Sequence, residues 1–82
     1  MSDQLYSVEQ NLKSGEYHIF LSSRDKNKCK LKGSSMCEKM EYDINAVNIG
    51  LCITEKQAES IVERYSSKMC RACVKEFSNR EE

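Results

Sequence analysis

The sequence predicts an α+β domain, a small antiparallel meander of three or four strands packed by a C-terminal helix. Three observations carry that expectation. Residues 17–21 are rich in aromatic and branched side chains between turn signals, and 28–32 and 47–53 alternate with the period of strands that bury one face. A capping signature opens at Thr54 and leads into apolar residues at helical spacing. Cys70-Arg71-Ala72-Cys73 then sets two thiols three residues apart on the flank of the helical region.

Taken in order, residues 1–14 place Leu5, Val8 and Leu12 three and four apart behind Ser2 and Asp3, which reads as an N-terminal helix or arm. The competing reading is a strand through Leu5-Tyr6-Ser7-Val8, and Ser14-Gly15 ends either one. Tyr17-His18-Ile19-Phe20-Leu21 is the clearest strand, with Tyr17, Ile19 and Leu21 on one face and His18 and Phe20 on the other. Arg24 to Asn27 is turn material. Lys28-Cys29-Lys30-Leu31-Lys32 alternates strictly, three lysines wet and Cys29 and Leu31 inward. A hairpin turning about Gly33 into residues 36–42 would make Cys29 and Cys37 cross-strand partners, Cβ atoms about 4.5–5.5 Å apart.

Residues 43–46 read as a loop. Val47, Ile49, Leu51 and Ile53 are expected to face the core, leaving Cys52 on the opposite face as the cysteine most easily left free. Thr54-Glu55-Lys56-Gln57 is a capping box, in which hydroxyl and amide satisfy each other's backbone N–H groups. Ala58, Ile61, Val62, Tyr65 and Met69 continue at helical spacing. Ser66-Ser67 breaks that helix or starts a further turn carrying Cys70, Cys73 and Phe77, and residues 78–82 are expected to fray.

Eighty-two residues without proline suit one domain, 1–82. Such a chain buries roughly 60–65% of its unfolded surface, which leaves its core marginal without a staple. There is no basic stretch leading into an apolar run of the secretory kind. Nor does any run approach the roughly 18 apolar residues of a membrane span, so a cytoplasmic address is expected. In that compartment C-x-x-C reads as metal or redox chemistry rather than structural disulfide, and an odd count of five cysteines agrees.

Zinc is the staple that fits. It takes four sulfur or imidazole donors at roughly 2.0–2.3 Å, and Cys70 and Cys73 supply half of them. The cross-strand argument selects Cys29 and Cys37 for the rest, with His18 as the alternative ligand. The order His18, then Cys29 or Cys37, then Cys70 and Cys73 entering a basic helical tail spans about residues 18–77. It resembles small zinc-binding proteins common in phages and other mobile elements. The resemblance implies a structural zinc ion in a small phage-encoded protein.

Catalysis has little to stand on. His18 is the only histidine and has no identifiable nucleophile, and no phosphate-binding or H-E-x-x-H motif is present. A C-x-x-C in the last fifth of the chain, with no strand after it, also departs from the disulfide-exchange arrangement. The chain is expected not to be an enzyme. Net charge is zero, yet from Arg24 to Lys32 five basic residues, Arg24, Lys26, Lys28, Lys30 and Lys32, stand against Asp25 alone. That stretch is the candidate contact surface, for a protein partner first and for nucleic acid as the alternative. A solvated lysine edge that blocks aggregation is its bland counterpart. The expected role is a regulator or inhibitor that occupies a partner's surface.

Overall fold

Local chemistry explains six elements in the computed structural model, which describes residues 4–38, 41 and 46–81, with backbone alone at 80 and 81. They are β1 (Leu5–Gln10), β2 (Tyr17–Asp25), β3 (Lys28–Leu31), β4 (Val47–Ile53), α1 (Glu55–Arg64) and α2 (Arg71–Glu81). The α+β expectation holds. The N-terminal stretch is a strand, not a helix: β1 pairs along its whole length with β2, Val8 opposite Ile19 and Glu9 opposite His18. Burial of Tyr6, Ser7, Val8 and Glu9 in succession shows why a helical spacing count misled there. Both faces of this strand are covered, so neither period is visible.

The sheet order is β3-β2-β1-β4. The first three strands form the expected meander, but β4 crosses over to lie antiparallel to β1. Lys26 and Asn27 both have positive φ, 49° and 70°, the backbone of a tight two-residue hairpin turn whose twist suits the flanking strands. In a flat sheet the two outer strands would stand about 14 Å apart. Instead the Cα atoms of Cys29 on β3 and Cys52 on β4 are 5.8 Å apart and a disulfide joins their sulfurs. The sheet therefore curls. Buried Ser7 makes room for this, accepting the Cys52 backbone N–H at 2.9 Å and lying 3.0 Å from the Ser22 hydroxyl.

Two sequence expectations fall here. Cys52 is bridged and buried, not free. The alternation predicted for β4 fails, since Val47 and Leu51 are 43% and 45% exposed. Register shifts against β1 and a left-handed backbone at Cys52 (φ 46°) break the period of two.

The helices cover one face. Tyr6, Val8, Tyr17 and Ile19 pack with Ala58, Met69, Cys70, Cys73 and Phe77. Phe77 meets the Tyr6 ring edge-on, centroids 5.0 Å apart. The capping box forms as read: the Gln57 N–H donates to Thr54 Oγ1 at 3.3 Å, and the Thr54 N–H donates to Gln57 Oε1 at 3.0 Å. α1 ends at Arg64, just before Ser66-Ser67, and α2 continues to Glu81. No described helix is long and apolar enough to cross a membrane.

Candidate metal centre

β3 is only four residues long, and β2 is nine. The edge of β2 beyond β3 is therefore closed piecewise by other stretches. Its outward carbonyls at Leu21, Ile19 and Tyr17 accept, in turn, the N–H groups of Lys32 at 2.8 Å, Met36 at 2.7 Å and Cys70 at 2.8 Å. The Tyr17 N–H donates back to the Lys68 carbonyl at 2.8 Å. Backbone pairing alone thus brings residues near 36 and near 70 to the same strand edge. Their cysteines meet there.

The chain does not turn about Gly33. It follows β2 and reverses between Ser34 and Glu41, which form an isolated antiparallel bridge. The Glu38 N–H closes a turn onto the Ser35 carbonyl at 2.9 Å, with Glu38 left-handed at φ 62°. The strand expected over 36–42 lies partly outside the described residues, as does the loop expected at 43–46. Cys29 and Cys37 consequently do not pair, and Cys29 is not a member of the cluster. This corrects the preferred ligand set. Cys29 sits opposite Arg24 at the far end of β2 and is bridged to Cys52.

His18, Cys37, Cys70 and Cys73 form the cluster, with donor atoms all within 4.8 Å of one another. The Cys37 and Cys70 sulfurs are 3.8 Å apart, and His18 Nδ1 is 3.5 Å from Cys37 Sγ and 3.6 Å from Cys73 Sγ. A tetrahedral ion with ordinary zinc bond lengths needs edges of about 3.8 Å between sulfurs and about 3.6 Å between sulfur and nitrogen. These three separations match those edges, and all four donor atoms lie within 4.8 Å of one another. These four residues are near enough to hold a metal ion.

Electrostatics fit as well. Cys70 directly precedes α2 and its carbonyl accepts the Val74 N–H at 3.0 Å, which puts Cys73 in the helix's first turn. That turn contains no acidic residue, so thiolate charge would be what complements the positive end of the helix dipole. Burial lowers the His18 pKa, with Glu16 opposing in part, which keeps the imidazole in the neutral, ligating form. For Nδ1 to donate a lone pair, the ring proton must sit on Nε2. Burial pushes the Cys73 thiol up to about 12. Only a cation would displace its proton near neutrality. The Ser35 hydroxyl lies 3.1 Å from the Cys37 sulfur, a polar contact that sequence reasoning did not foresee.

The predicted contact residues are elsewhere. Arg24, Lys26, Lys28, Lys30 and Lys32 are all exposed around the β2–β3 hairpin. Lys30 Nζ lies 3.1 Å from Asp25 Oδ2, an exposed pair of small energetic weight. The Cys29–Cys52 bridge also bears on the address. Disulfides persist mainly in oxidising compartments, so cysteine usage no longer argues for the cytoplasm.

Compared with known protein families, with curated proteins and with solved structures, the chain matches none.

Proposed function

We propose that this chain is a zinc-stapled interaction module, without enzymatic activity, that acts by occupying the surface of a partner protein. The observation carrying it is the cluster of one imidazole and three thiols whose donor atoms all lie within 4.8 Å of one another. Three sulfurs and a nitrogen favour zinc over harder cations, which prefer oxygen. Four protein donors would close the coordination sphere, and a closed site leaves no position for substrate or water. Its work is then mechanical: it would fasten the start of α2 and the 34–38 turn to the edge of β2.

A regulator or inhibitor working by surface occupation suits a domain with so little else to offer chemistry. Two measurements test the reading. Elemental analysis of the purified protein should find one zinc per chain, and a tagged chain should retain a stoichiometric protein partner after nuclease treatment. A metal-free, fully folded preparation would remove the staple. Nuclease-sensitive capture would move the role to nucleic acid.

A further inference from the structure

Two hollows adjoin along β2 and β3 and share Leu21 and Lys32 in their walls. One, of about 290 Å³, is lined also by Lys30, Leu31, Ser22 and Ser23. The other, of about 180 Å³, is lined also by Met36, Glu38 and Glu76. Together they form a groove with Lys30 in one hollow, Leu21 and Lys32 shared between the two, and Met36, Glu38 and Glu76 in the other.

We propose that this polarised groove is the partner seat, and that it takes a polypeptide segment in which an acidic cluster, an apolar pair and a basic cluster follow one another. The assignment rests on the interaction-module reading and names the chemistry of its partner. Lys28 and Lys30 lie opposite Asp25 and Ser23, so with Lys32 they share one face of the β-strand period and present charge in a row. The partly buried Leu21 and Met36 offer a seat for an apolar anchor. Glu38 and Glu76 then reward a cation at the far end.

The walls are held in place on both sides. The Cys29–Cys52 bridge fixes β3, and Met36 and Glu38 flank the metal donor Cys37, so little backbone ordering remains to oppose binding. Nucleic acid fits less well. A phosphate backbone would meet Glu38 and Glu76 as it left the lysines. Tyr6, Tyr17, Phe20 and Phe77 are buried, and Tyr65 is partly covered against Tyr17, centroids 5.1 Å apart. Among the described residues no exposed ring is left for base stacking.

The test uses fluorescence anisotropy on the metal-loaded full chain. Its probe is a labelled synthetic peptide with a glutamate block, a leucine pair and a lysine block. The controls are a peptide of the same composition with charges interleaved, and an oligodeoxythymidylate. The block peptide should bind about tenfold more tightly than the interleaved one, and the preference should vanish in Lys30→Glu/Lys32→Glu and in Glu38→Lys/Glu76→Lys. Far-UV circular dichroism and zinc content confirm that each variant is folded. Equal affinity for the two peptides overturns the assignment, and tighter binding of the oligonucleotide overturns it in favour of phosphate. Either result with zinc retained leaves the stapled module standing; loss of the staple is read separately, from zinc content.

Discussion

The sulfurs of Cys37 and Cys70, 33 positions apart in the chain, lie 3.8 Å from each other, and no helix or strand contains both. What holds them is one edge of β2, which hands successive carbonyls to the two stretches. A zinc ion there would contribute on the order of 10 kcal/mol in a domain whose whole stability is about 5–15 kcal/mol. Chelation, or Cys70→Ser with Cys73→Ser, is therefore expected to unfold the protein, as read by circular dichroism melting. An unchanged melting curve after zinc removal would contradict it.

The two sets of cysteines should separate cleanly. Cys29→Ser/Cys52→Ser leaves the donor cluster intact, so zinc stoichiometry should stay at that of the parent. Stability should fall by about 3 kcal/mol, the loop-closure value for a separation of 23 residues. Cys37→Ser should lose the metal while retaining the bridge, seen as two alkylation-resistant cysteines in the denatured, unreduced chain. If Cys29→Ser abolished zinc binding instead, the ligand set drawn from this structure would be wrong.

How much of this was legible beforehand follows the range of each interaction. The capping box at Thr54 and the strand at Tyr17 depend on neighbours within a few residues, and both appear as read. Cys70 and Cys73 announced themselves by spacing. The other two donors did not, because their choice depends on where the chain reverses after Lys32. A turn about Gly33 pairs Cys29 with Cys37; a reversal between Ser34 and Glu41 sends Cys37 along β2 to His18. Nothing local decides between these. The Cys29–Cys52 bridge was hidden for a similar reason: it requires the sheet to curl, and the bulges that curl it arise from the pairing of β4 with β1.

Phe77 is fully buried and carries α2 onto the Tyr6 ring of the sheet. Phe77→Ala is expected to cost about 3–5 kcal/mol, comparable to losing the bridge. Its effect should appear as a lower urea midpoint with zinc still bound, since Phe77 supplies none of the four donors. A midpoint within error of the parent would mean that α2 is held by the metal alone.

The pH profile tests whether the thiols hold a cation or are merely buried. In the metal-free fold Cys73 is raised from 9.0 to about 12, so above its unfolded value the folded chain keeps a proton that the unfolded chain releases. Stability would then fall as pH climbs through that window, by up to about 1.4 kcal/mol per pH unit. A bound metal inverts the sign. The loaded fold carries no ligand protons while the unfolded thiols do, so stability should rise steadily from about pH 7 to about pH 9. On the acid side the two cases agree. His18 is lowered by burial, the unfolded chain takes up the proton first, and stability falls on acidification below the ordinary histidine value of about 6.5. Urea midpoints measured from neutrality into the alkaline range therefore carry the answer: a rise shows thiolates on a cation, and a midpoint that is flat near neutrality and then falls shows buried thiols.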